Sequence, residues 1–75
     1  MKELLEFIAK SMVSDPDAVV VTETSEGDSV VLQLHVGEGD MGKVIGKQGR
    51  IAKAIRTVVK AAASYENKRV SVDIV

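Results

Sequence analysis

Seventy-five residues with ten Lys or Arg, eleven Asp or Glu and a net charge of −1 describe one small domain with a modest core. There are no cysteines, which excludes disulfides and thiolate metal sites, and no apolar run approaches the roughly 20 residues of a membrane span. A small chain that holds together without disulfides fits a reducing compartment, so the expectation is a cytoplasmic protein.

Residues 2–13 predict an amphipathic helix with Leu4, Leu5, Ile8, Met12 and Val13 on one stripe. Glu3 and Glu6 interrupt its apolar residues, which argues against a secretory signal. Asp15-Pro16 stops the helix, because the residue before proline avoids the α region. Residues 18–24 are β-branched and predict a strand, with Val19 and Val21 on one face and Val20 and Thr22 on the other. Ser25-Glu26-Gly27-Asp28 is a turn. Residues 29–36 then complete a hairpin, with Leu32, Leu34 and Val36 inward and Gln33 and His35 outward.

Gly37-Glu38-Gly39-Asp40 leads into a short helix over 41–45, with Asp40 as its N-cap and Gly46 as its end. A longer helix is predicted over 50–65. Ile51, Ile55, Val58 and Ala62 fall on one arc, taken as the core stripe. Arg50, Lys53, Arg56 and Lys60 fall on a second, basic arc. Ala52, Val59 and Ala63 fall on a third, where small apolar residues would suit a dimer contact. Glu66-Asn67-Lys68 is a turn, and residues 69–75 form a third strand with Val70, Val72 and Ile74 inward. The helical crossover between the second and third strands is long enough to make them parallel neighbours. The expected architecture is α+β: a three-stranded mixed sheet carrying three helices on one face, in a single domain spanning 1–75.

The net charge conceals a strong asymmetry. Residues 41–65 contain six of the ten basic residues and none of the eleven acids. All the acids and the other four bases lie outside, so one segment carries about +6 and the rest about −7. A solvated helix face would look the same by charge alone, so the glycines must decide.

Three glycine patterns overlap around the start of this window. Gly37-Glu38-Gly39-Asp40-Met41-Gly42 matches G-x-G-x-x-G formally. Yet Glu38 and Asp40 stand where a pyrophosphate would lie, and no acid follows until Glu66, so a dinucleotide site is excluded. For a P-loop, Gly42 and Gly46 are one residue too close, and Gln48 stands where a magnesium-binding hydroxyl is required. The third pattern, Gly46-Lys47-Gln48-Gly49, joins two helices. Glycine lets a sugar–phosphate backbone approach without a Cβ in the way, and the following helix offers N–H groups and its positive dipole end. Lys43, Lys47, Arg50 and Lys53 add charge around those amides, which suits a polyanion's backbone.

Here the sequence resembles a known family. Val44-Ile45-Gly46-Lys47-Gln48-Gly49 is similar to the V-I-G-x-x-G signature of KH-domain RNA-binding proteins, with the trailing apolar position met loosely by Ile51 and Ala52. The helix–strand–strand–helix–helix–strand order resembles the type II, prokaryotic KH arrangement over essentially the whole chain, as in the small stand-alone bacterial KH proteins. That resemblance implies a loop, Gly46 to Gly49, that clamps the backbone of about four single-stranded nucleotides. Lys47 and Gln48 would point toward phosphate, with Lys43, Arg50 and Lys53 around them. Ile45 would line the groove floor, and Leu32 or Leu34 would be either its strand side or plain core. It further implies an RNA chaperone or post-transcriptional regulator linked to cell length and cell-wall homeostasis. Its partners would be a second copy or a larger Jag-type KH protein.

Phe7 and Tyr65 are the only aromatic residues, so modules that hold bases on aromatic platforms are disfavoured. His35 has no second histidine or cysteine with which to share a metal. Asp15, Asp17, Glu38 and Asp40 read as turn and capping residues, and Met12 and Met41 as packing. No enzyme chemistry and no cofactor are expected. The alternative function is a KH fold used mainly for protein interaction or dimerisation, with little RNA binding of its own.

Overall fold

A computed structural model describes residues 1–75. Its elements are α1 (Lys2–Met12), β1 (Val20–Glu26), β2 (Ser29–His35), α2 (Met41–Ile45), α3 (Arg50–Tyr65) and β3 (Arg69–Ile74). The sheet order is β1-β2-β3, with β1 and β2 antiparallel and β2 and β3 parallel. This is the mixed sheet that the element order predicts, and the three helices cover one of its faces.

The period-2 pattern of the strands explains the layering. Val30, Leu32, Leu34 and Val36 are buried, while Val31, Gln33 and His35 between them are exposed. Val21, Val70 and Val72 join them beneath Leu5 and Ala9 of α1, Val44 of α2, and Ile55, Val59 and Ala63 of α3. Leu32 and Leu34 are fully buried, so both belong to the core and neither lines a groove. The first strand begins two residues later than expected. Pro16–Ala18 forms a single 3₁₀ turn instead, since proline fixes the dihedral of a turn's first residue.

The long helix is rotated relative to its expected orientation. Its inward stripe is Ala52, Ile55, Val59 and Ala63, all buried. Ile51 and Val58, expected in the core, are 36% and 49% exposed, and Ala62 is half-buried. The arc expected at a dimer surface is therefore core, and part of the expected core is surface. The reason is that α3 is apolar over two adjacent arcs that share Ile55, and periodicity alone does not rank them. Ile51 packs over Gly46, which turns Ala52 toward the sheet.

Candidate nucleic-acid interface

The loop between α2 and α3 is built from backbone geometry that only certain residues tolerate. Gly46 ends α2 with φ 75° and ψ 177°, and its N–H returns to the Gly42 carbonyl at 2.9 Å. That conformation is essentially restricted to glycine. A Cβ on Gly46 would also lie 2.5 Å from Ile51 Cγ1 and 2.8 Å from its Cβ and Cδ1. Gln48 and Gly49 follow with φ 57° and 73°, the left-handed region. The chain thus reverses within three residues and holds Lys47 and Gln48 out into solvent, both exposed.

Helix α3 starts from this reversal with Gly49 as its N-cap, no side-chain capping bond and no acid in its first turn. The Gly49 N–H bonds to the Gly46 carbonyl and the Arg50 N–H to the Lys47 carbonyl. The amides left for a ligand are those that follow Arg50 in the first turn, where the positive dipole end faces the loop. Arg50 and Lys53, both exposed, stand beside those amides. Lys47, Arg50 and Lys53 form no ion pair. The structure therefore gathers Gly46, Lys47, Gln48, Gly49, Arg50 and Lys53 at one end of α3. Ile45 is half-buried at the end of α2, one residue before the loop.

Two basic residues behave differently from the sequence expectation. Lys43 turns back from the loop: its Nζ lies 3.2 Å from Asp40 Oδ1 and hydrogen-bonds to the Ser14 hydroxyl. Arg56, expected on the basic arc, is half-buried and donates from Nε to the Val72 carbonyl of β3 at 3.0 Å. β3 is an edge strand, and the N–H groups of Arg69 and Val75 already face β2. By the alternation of a parallel ladder, the groups of Val70, Val72 and Ile74 face outward. Arg56 covers the middle of that open edge.

Asp40 was expected to cap α2, but it makes no capping bond there. It is buried, and its two oxygens accept the N–H groups of Ser14 at 3.0 Å and Asp15 at 3.1 Å. The Ser14 N–H holds its carboxyl below the usual range. Burial opposes this, while the Asp15 N–H and Lys43 reinforce it. The carboxylate thus ties the exit of α1 to the entry of α2. Its partners lie 25 and 26 residues away in the chain, and no local spacing points to them. Ile51, by contrast, was half-signalled by the motif's trailing apolar position.

A second surface is apolar. Ile8 and Met12 of α1 and Ile51, Ala54, Ile55 and Val58 of α3, with Arg50 at one end, line an open groove of about 440 Å³. His35 is exposed on the open sheet face, as its strand position predicts. No group of three or more His, Cys, Asp or Glu residues is placed to hold a metal ion. No helix is long and apolar enough to cross a membrane.

Comparison with known proteins agrees with the fold. A family profile described as KhpA/KhpB, KH domain, matches residues 2–74. The chain is 65% identical over 75 residues to the RNA-binding protein KhpA of Clostridium acetobutylicum, covering all of both chains. It is 43% identical over 74 residues to RNA-binding protein KhpA of Chlamydia trachomatis, covering 99% of this chain and 95% of that one. Among solved structures it resembles Era, in a crystal structure of Era in complex with MgGDPNP and nucleotides 1506–1542 of 16S ribosomal RNA. There the TM-score is 0.69 at 16% identity, over 97% of this chain and 28% of Era. At that identity the likeness to Era is one of fold, and it spans about a quarter of the Era chain. The chain belongs to the KhpA/KhpB KH-domain family.

Proposed function

We propose that this protein binds single-stranded RNA, with the sugar–phosphate backbone held at the Gly46–Gly49 loop by Lys47, Gln48, Arg50 and Lys53 and by the N–H groups that follow Arg50 in the first turn of α3. The observation that carries this reading is the loop itself: a glycine-dependent reversal at an uncapped, acid-free helix start, inside 25 residues with no carboxylate. The RNA-binding relatives that match over the whole chain support it. Ile45 contributes apolar contact beside the loop. Lys43 contributes less than its position in the chain suggests, because Asp40 holds it.

The test is the double variant Lys47→Asp, Gln48→Asp. Aspartate tolerates the left-handed conformation at position 48, so the fold is retained. Affinity for labelled oligouridine, followed by fluorescence anisotropy, should fall at least tenfold at moderate salt. Unchanged affinity would overturn the reading. Crosslinks to bound RNA should map within residues 43–53. Physiologically, the protein acts as an RNA chaperone or post-transcriptional regulator affecting cell length and cell-wall homeostasis. That step rests on resemblance, and deletion of the gene with microscopy of cell length tests it.

A second reading concerns assembly, and the groove of Ile8, Met12, Ile51, Ala54 and Val58 favours it. Such a groove is suited to a second copy or to a larger Jag-type KH partner. Two weak loops on one RNA would gain avidity from pairing. Val58→Asp should convert a dimer to a monomer in analytical ultracentrifugation, with the folded far-UV circular dichroism unchanged. A wild-type protein that stays monomeric up to high micromolar concentration, alone and mixed with such a partner, would remove this reading.

A further inference from the structure

The basic face of α3 does not end near the Gly46–Gly49 loop. Lys60 lies ten residues beyond Arg50, about 15 Å along the helix. With Ser64, Lys68, Arg69 and Val70 it lines a concavity of about 360 Å³ at the far end of α3, and no acid lines this hollow. The helix terminus folds to build it. Asn67, at φ 56°, turns the chain, and the Lys68 N–H returns to the Ala63 carbonyl at 3.0 Å. That bond brings Lys68 and Arg69 back beside Lys60.

These three charges have no structural employment. None takes part in an ion pair or a side-chain hydrogen bond. Nor is Lys60 in the last turn of α3, so compensation of the helix dipole does not account for it. Glu66 and Asp73 are the nearest acids in sequence, and Asp28 accepts the Arg69 N–H through its backbone carbonyl, but no carboxylate pairs with the three.

An aromatic ring stands next to this hollow. Ala61, Ser64 and Tyr65 line an adjoining depression, and Ser64 belongs to both. Tyr65 is 92% exposed. A tyrosine usually lays its ring against the protein, and this one does not. An exposed aromatic beside unpaired cations is the pairing by which single-stranded nucleic acid is held: cations take the phosphates and the ring takes a base.

We propose that the far end of α3 is a second RNA subsite, in which Lys60, Lys68 and Arg69 hold phosphates and Tyr65 stacks on a base. It rests on the reading of the Gly46–Gly49 loop as the first contact. One strand then runs along Arg50, Lys53 and Lys60, so that the track follows the whole of α3, about 24 Å for its 16 residues. The RNA recognised is a single strand longer than the about four nucleotides that the loop clamps.

The test uses the full chain and oligouridines of four, eight and twelve nucleotides, with anisotropy over a salt series. Wild type should bind the twelve-mer at least tenfold more tightly than the four-mer. Lys68→Ala with Arg69→Ala should remove most of that gain and leave four-mer affinity unchanged. Its salt slope on the twelve-mer should fall by about 1.4, at about 0.7 for each phosphate contact to a single strand. Tyr65→Ala should weaken the twelve-mer about fivefold or more, and Tyr65→Phe should restore it. A wild type that binds both lengths equally would overturn the subsite, as would an equal loss on both lengths in Lys68→Ala, Arg69→Ala. A Tyr65→Ala effect that Phe does not rescue, accompanied by a changed sedimentation coefficient, would overturn the stacking role. Failure of the loop reading looks different: Lys47→Asp, Gln48→Asp would then retain twelve-mer binding that Lys68→Ala, Arg69→Ala destroys.

Discussion

Three glycines in eight residues, Gly42, Gly46 and Gly49, have different physical roles, and alanine at each should separate them. Gly42 is exposed within α2, with nothing near the position a Cβ would take. Alanine there removes only the backbone-entropy penalty of a helical glycine and should stabilise by about 0.5–1 kcal/mol. Gly49 is also unobstructed but left-handed, at φ 73° and ψ 14°, so its alanine should cost about 1–2 kcal/mol. Gly46 combines a dihedral pair open essentially to glycine alone, costing about 1–3 kcal/mol, with a clash on Ile51 that adds about 1–3 kcal/mol. The combined cost of about 2–6 kcal/mol is comparable to the whole stability of a 75-residue domain, about 4–11 kcal/mol. Urea unfolding followed by circular dichroism should rank the proteins Gly42→Ala, wild type, Gly49→Ala, Gly46→Ala, with a constant m-value. The double variant Gly46→Ala, Ile51→Ala removes the approaches to Cγ1 and Cδ1 and keeps the one to Cβ. It should show a favourable coupling of about 1 kcal/mol, leaving the dihedral cost and the Cβ contact in place. Gly46→Ala no worse than Gly49→Ala, or a coupling near zero, would refute the packing of Ile51 over Gly46 that also sets the rotation of α3.

Asp40 should confer acid sensitivity. Its carboxyl is held below its ordinary value of 3.8, so the ionised form favours the folded state. That contribution is complete above the ordinary value and is lost as pH falls through the lowered one. Urea midpoints of wild type should exceed those of Asp40→Asn by a constant amount above about pH 5, and the gap should close as pH falls below 3.8; a pH-independent gap would exclude the carboxylate as its source. Arg56→Ala leaves the Val72 carbonyl without its donor and should cost about 1 kcal/mol. Arg56→Lys keeps the charge but not the Nε donor, so it should recover little of the lost thermal stability, and full recovery would show that charge and not the bond to Val72 carries it. Oligouridine affinity of wild type should fall linearly on a log–log plot against salt, and a flat line would remove the phosphate contacts from the account.

The sequence carried the element order because each signal was local. Alternation from Val30 to Val36, the Asp15-Pro16 stop and the glycine at position 46 each constrain their own neighbourhood. The loop was legible for the same reason, since a helix–helix reversal needs its glycines in the chain itself. What failed required knowing which of two apolar arcs meets the sheet. Ile51 and Val58 are bulkier than Ala52 and Ala63, so intrinsic hydrophobicity favours the wrong arc. The small residues fit inward because α3 lies close on the strands, and the larger ones are left for the groove beside α1. The partners of Lys43 and Arg56 were hidden for a related reason: the charges were visible, but Asp40 with Ser14 and the Val72 carbonyl come from other elements.

The correction to α3 also changes what its surface can do. With Ala52 and Val59 inward, the outward circumference divides lengthwise into an apolar side, Ile51, Ala54 and Val58, and a basic side, Arg50, Lys53 and Lys60. A copy docked on the first would leave the basic side open, while Tyr65, two turns beyond Val58, lies at the far end of the apolar side; the loop and the basic track therefore need not compete with assembly. Under that arrangement the two sides should be separable by mutation. Val58→Asp should lower twelve-mer affinity only through lost avidity, by the same factor on every RNA long enough to bridge two copies, and should leave four-mer affinity untouched. A loss of four-mer affinity in a folded Val58→Asp monomer would show that the two sides are coupled and that the loop depends on the dimer.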